Sequence, residues 1–101
     1  MIRHVVMWKL KEQADGLDRQ ANAKRLKKAL EELPTKVPGL VRWIMVGINE
    51  VEGPSSYDVV LMVDFDSFED LERYIKHPEH DKVAELVMKV REQRTVVDFQ
   101  F

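Results

Sequence analysis

The 101-residue chain contains no cysteine. That absence removes disulfides, thiolate metal sites and a cysteine nucleophile together, and it fits a reducing, cytoplasmic setting. Also missing is any apolar run near the roughly 20 residues that a bilayer span requires. The opening Met1-Ile2-Arg3-His4 leads straight into a strand-like run that stops at Lys9, too short and too polar for a signal peptide. Neither export nor membrane insertion is therefore expected. No excess of one charge is present either: 16 Lys and Arg stand against 18 Asp and Glu, a net charge of -2, which provides no attraction for nucleic acid or an anionic membrane. A glycine-rich phosphate loop, a Ser/His/Asp set, internal repeats, low-complexity tracts and linkers are all lacking. At this length one hydrophobic core, and one domain over residues 1–101, is the expectation.

What is present is periodicity, and it changes along the chain. Residues Ile2 to Leu10 are rich in Val, Ile and Trp and read as a strand. From about Leu17 the period becomes helical: Leu26, Ala29, Leu30 and Leu33 fall at i, i+3, i+4 and i+7, opposite a solvated face that includes Lys24 to Lys28. Asp18 is placed to cap this helix and Pro34 to stop it. Pro38-Gly39 marks a turn. Leu40 to Val51 reads as a second strand, 52–56 as a loop, and Tyr57 to Phe65 as a third strand. Ser67 with Asp70 resembles a capping box, opening a short helix whose apolar face is Phe68, Leu71 and Ile75. Pro78 suits the first position of a new helix carrying Val83, Leu86, Val87 and Val90, which leaves His77 at the boundary. Thr95 to Phe101 closes the chain as a fourth strand. The order βαββαβ, with a break in the second helix, predicts an α+β ferredoxin-like fold on a four-stranded antiparallel sheet.

Alternation within the strands bears on assembly, because successive side chains point to opposite faces. One face of the first strand carries Ile2, His4, Val6, Trp8 and Leu10, and the other carries Arg3, Val5, Met7 and Lys9. In the third strand, Tyr57, Val59, Leu61, Val63 and Phe65 oppose Asp58, Val60, Met62 and Asp64. The helices can cover only the first of these faces. Val5, Met7, Val60 and Met62 are left facing outward, and burying each is worth about 1.5–3 kcal/mol. A second copy packed on that face, giving a homodimeric α/β barrel, is the expectation; a monomer with scattered surface hydrophobes is the alternative.

Three histidines make up most of the chemical inventory. His4 lies on the helix-facing side of the first strand by parity, and His80 shares a helical face with Val83 and Val87. Tyr74 follows Leu71 by three residues. Two imidazoles and a phenol converging in an apolar cavity suit proton transfer at a carbonyl compound. In a ferredoxin-like sheet the last strand runs beside the first, which brings Asp98 to His4. The competing reading makes these groups hydrogen-bonded core or boundary residues without chemistry. His77-Pro78-Glu79-His80 has an i, i+3 ligand spacing, but Pro78 separates the rings, so neither a metal site nor a cofactor is expected.

The runs Ile2-Arg3-His4-Val5-Val6-Met7-Trp8-Lys9-Leu10-Lys11, Tyr57 through Phe65, Tyr74-Ile75-Lys76-His77-Pro78-Glu79-His80 and Val96-Val97-Asp98-Phe99 together resemble the stress-responsive α/β-barrel (Dabb) domain over nearly the whole chain. The resemblance implies the ferredoxin-like fold and a homodimeric barrel. By similarity to a plant polyketide cyclase of that family, it also implies acid/base chemistry on His80, with His4, Tyr74 and Asp98 as the other pocket groups. Val6, Trp8, Leu26, Leu30, Ile75 and Val83 would line the pocket. Leu26 and Leu30 stand where the cyclase pocket is aromatic, and Trp8 is bulkier than its aliphatic counterpart, which predicts a smaller or closed cavity. Three functions fit: a stress-response barrel that binds, or binds and transforms, a carbonyl-containing small molecule; an assembly protein with a filled pocket; and a cofactor-free oxygenase-like enzyme.

Overall fold

A computed structural model describes residues 1–101. Strand β1 (Ile2–Leu10) is followed by a two-residue pair, β2 (Gln13–Ala14) and β3 (Leu17–Asp18), then helix α1 (Arg19–Lys36), β4 (Trp43–Ile48), β5 (Val59–Phe65), α2 (Phe68–Lys76), α3 (Pro78–Val90) and β6 (Arg91–Gln100). β4, β5, β1 and β6 form an antiparallel sheet in that order. The helices cover one side of it, as the βαββαβ order predicts.

The core is built by parity. Val6 and Trp8 of β1, Leu61 and Val63 of β5 and Val46 of β4 are buried beneath Leu26, Leu30 and Leu33 of α1, Leu71 and Tyr74 of α2, and Val87 and Val90 of α3. Asp18 caps α1 by accepting a hydrogen bond from the Ala21 N–H at 2.8 Å, and Ser67 caps α2 by accepting from the Asp70 N–H at 3.2 Å. Side-chain oxygens thus satisfy amides that a helix start leaves unpaired.

Three local expectations are corrected. Pro34 does not stop α1, which runs on to Lys36. Leu33 and Val37 are both buried, and Thr35 Oγ1 donates to the Glu32 carbonyl at 2.7 Å. Core packing of the last turn outweighs the hydrogen bond that proline cannot make. Leu17 is not helical: Asp15 and Gly16, both at positive φ, close the tight β2–β3 turn before the helix begins. Lys27 is not wholly solvated, because its ammonium donates to the Val46 carbonyl at 2.7 Å and ties α1 to edge strand β4.

The uncovered side of the sheet carries Val5, Val60 and Met62, half-buried, and Met7, Trp43, Met45, Val97, Phe99 and Phe101, exposed. Met45 and Val97 are 51% and 57% exposed. One ion pair lies among them. Arg3 donates to both Asp64 oxygens at 2.7 and 2.9 Å, and its guanidinium lies 4.8 Å from the Trp43 ring centre and 4.7 Å from that of Phe101.

Candidate functional site

The helix layer stops short of β6. Val96 pairs with Val6 and shares its inward parity, yet it is 40% exposed. Between α3 and the β1 side of the sheet is a cavity of about 200 Å³, with His4, Val6 and Trp8 from β1 and His80, Val83 and Val87 from α3 in its wall. Leu30, Leu61, Ala84, Met88, Arg91 and Arg94 complete the lining.

His4 is buried and sits opposite Asp98 in the β1–β6 register. Its Nδ1 hydrogen-bonds the Asp98 carboxylate. A carboxylate accepts, so Nδ1 carries the hydrogen and Nε2 is the nitrogen left for other partners. Asp98 itself lies outside the lining and reaches the cavity only through the ring that it orients.

His80 stands one turn into α3, whose start is fixed by His77: the His77 Nδ1 accepts the Glu79 N–H at 3.1 Å, and Pro78 takes the first helical position. His77 is therefore a cap, set apart from the cavity. Burial lowers the His80 pKa below its ordinary value, and the nearby His4 and Arg94 add to the effect against a smaller opposing contribution from Asp81. A neutral imidazole, able to accept a proton, is favoured at neutral pH.

Tyr74 is fully buried, wedged edge-on between Phe65 and His80, each with its ring centre 5.1 Å away. Its hydroxyl finds no hydrogen-bond partner within the chain. Burial raises its pKa, which keeps the phenol protonated. Tyr74 packs behind His80 and is not part of the cavity wall.

Of the apolar residues expected to line a pocket, Val6, Trp8, Leu30 and Val83 do so, whereas Leu26 and Ile75 do not. Leu26 is fully buried below the cavity. Ile75 is 41% exposed, because in the nine-residue α2 the sheet-facing stripe is Leu71 and Tyr74, which turns Phe68 and Ile75 to solvent. Sequence reasoning missed Arg91 and Arg94. Strand parity held the signal for Arg94, which shares the face of Asp98 and pairs with Trp8.

His80 contributes a pH dependence to stability. The unfolded chain protonates this residue at its ordinary value of 6.5, and the folded chain only below that. Between the two the unfolded state binds more protons, so stability falls as pH drops through 6.5 and is regained above it. Urea unfolding of wild type and His80→Gln at pH 7.5 and 5.5 should show the larger acid loss in wild type. Equal losses would contradict the assignment.

A four-stranded antiparallel sheet with helices on one side and a histidine-walled cavity between the layers defines an α+β ferredoxin-like protein. The chain belongs to the stress responsive A/B barrel domain (Dabb) family, whose model matches residues 2–101. It is similar to a dimeric ferredoxin-like protein of unknown function from Bacteroides fragilis, at 29% identity and TM-score 0.82 over 99% of this chain and 95% of that one. A Dabb family protein from Mesorhizobium loti has the same fold at 20% identity and TM-score 0.73, covering 99% and 95% of the two chains. A hydroxynitrile lyase from Passiflora edulis shares it at 15% identity and TM-score 0.79, covering 97% and 90%. No curated protein matches the sequence.

Proposed function

We propose that this chain is a homodimeric Dabb protein whose cavity binds a small carbonyl compound and moves a proton at the carbon next to the carbonyl. The observation that carries this reading is the pairing of two imidazoles in one wall, His4 fixed by Asp98 and His80 held neutral by burial. In the reaction His80 accepts the proton. His4, aligned by Asp98 and acting in its doubly protonated form, donates from Nε2 to the oxygen on which negative charge develops, and Tyr74 supports the His80 ring from behind, making it a positioning residue. Lyase activity in the Passiflora protein indicates that this fold accommodates chemistry in at least one other chain.

Dimerisation uses the uncovered sheet face around Val5, Met7, Val60 and Met62. Covering the six exposed large hydrophobic residues there, each roughly half exposed in the single chain, contributes about 4–8 kcal/mol per protomer. For two protomers this is comparable in size to the roughly 4–15 kcal/mol that association costs. The dimeric Bacteroides fragilis relative supports the same assembly. The cysteine-free composition fits a reducing, cytoplasmic setting for the dimer.

The test is deuterium exchange into cyclohexanone in heavy-water buffer, followed by proton NMR. Wild type should accelerate exchange. His80→Ala should drop to the buffer rate while remaining folded by circular dichroism, and His77→Asn, which keeps a capping side chain, should behave as wild type. Undiminished exchange in His80→Ala would remove His80 from the reaction.

A further inference from the structure

The chain has seven arginines. Five lie within 4.0 Å of a carboxylate: Arg3 with Asp64, Arg19 with Asp58, Arg25 with Asp15, Arg42 with Asp66 and Arg73 with Asp70. The two without such a partner are Arg91 and Arg94, and both are in the cavity wall. Their sole side-chain contact of this kind is from Arg91 to the Met88 sulfur at 3.4 Å, a weak acceptor. A third donor adjoins them: Trp8 also lines the cavity, and its buried indole Nε1 has no acceptor in the chain. An indole N–H can only donate, and a guanidinium carries five donors and no acceptor.

The cavity thus combines an apolar body with unmatched donors and uncompensated positive charge. His80 brings no negative charge to offset this, and the Asp98 carboxylate is engaged by His4. Resting on the reading that this cavity binds a small molecule, we propose that its ligand is a small apolar carboxylic acid, with the carboxylate on Arg91 and Arg94 and the hydrocarbon body against Val6, Leu30 and Val83. A guanidinium fork matches a carboxylate in geometry as well as charge. A neutral ligand of the same shape would leave the donors unmatched. Arg91 begins β6 directly after α3, and Arg94 follows on the same strand. One short stretch therefore brings both charges to the edge of the apolar wall and leaves the histidines deeper along β1 and α3.

The experiment compares two acid and amide pairs, benzoate with benzamide and phenylacetate with phenylacetamide, by calorimetric titration and by the imidazole resonances of His4 and His80. Wild type should bind each acid about tenfold more tightly than its amide, the size of a charge-assisted hydrogen-bond contribution. Arg91→Gln/Arg94→Gln should lose that preference and keep the amide affinity. Arg94 is exposed, so Arg94→Gln alone provides a folded variant with a partial loss should the double variant be unstable. Equal affinity for acid and amide in wild type, or a preference that survives in the variants, would overturn the carboxylate assignment while leaving the cavity a binding site. Failure of all four compounds to move either imidazole would overturn both.

Discussion

Replacing Met7 with Asp is expected to raise the dimer dissociation constant about a thousandfold while each protomer stays folded. Met7 lies near the middle of β1 on the uncovered face, opposite Val60 of β5 and Thr95 of β6. It is 38% exposed in the single chain, so a carboxylate there remains hydrated in the monomer. In the proposed dimer the same group is taken out of water among Val60, Met62, Met45 and Val97. An unpaired charge in such a place costs several kcal/mol. A two-fold interface presents the lesion twice, so even about 2 kcal/mol per copy yields the thousandfold change. Of the two cations that β1 places on this face, Arg3 is already matched by Asp64 and enclosed by Trp43 and Phe101, and Lys9 lies toward the end of the strand. Sedimentation equilibrium over a dilution series measures the effect. A Met7→Asp protein that dissociates at the wild-type concentration would show that the copies meet elsewhere.

Tyr74→Ala should destabilise the protomer by about 3–5 kcal/mol, the range for deleting a large buried aromatic ring. Tyr74 is fully enclosed and joins Phe65 of β5 to His80 of α3 edge-on, so its loss leaves a hole where the helix layer meets the sheet. Tyr74→Phe keeps the ring and removes a hydroxyl without a partner. A buried polar group that makes no hydrogen bond carries a desolvation penalty of about 1–3 kcal/mol, so this variant should equal or exceed wild type in stability. Denaturant titration separates the two. A Tyr74→Phe protein as unstable as Tyr74→Ala would mean that the hydroxyl has a structural partner. Slower exchange on cyclohexanone in a Tyr74→Phe protein of full stability would show instead that the hydroxyl acts on the reaction, a separation of stability from function.

The parts of the fold legible in the sequence follow from period-two and period-3.6 patterning. Parity sorted β1 and β5 into a helix-facing and an outward face residue by residue, and the βαββαβ order put β6 beside β1, which brought Asp98 to His4. Caps were equally legible, because Asp18 and Ser67 act on amides three residues away. Most of what sequence reasoning missed depended on context beyond that range. Pro34 is tolerated because Leu33 and Val37 are drawn into the core, and a local rule about proline has no access to that gain. The Asp15-Gly16 turn was a readable hairpin signal, overshadowed by the helical pattern that follows it. Ile75 and Tyr74 are adjacent in α2, and which of them is buried depends on the rotation of a helix only nine residues long. Arg91 and Arg94 escaped notice because β6 begins directly after α3, without a loop, four residues before the strand-like run that starts at Thr95.

A small ketone entering the cavity must meet His4 and His80 together and must leave His77, committed to the cap of α3, untouched. Nitrogen-15 imidazole spectra recorded during a titration with cyclohexanone test this directly. The expected result is saturable, parallel movement of the His4 and His80 signals with one common dissociation constant and a stationary His77. If all three signals stay still, or His77 moves as far as the others, the cavity between β1 and α3 is not where a ligand binds.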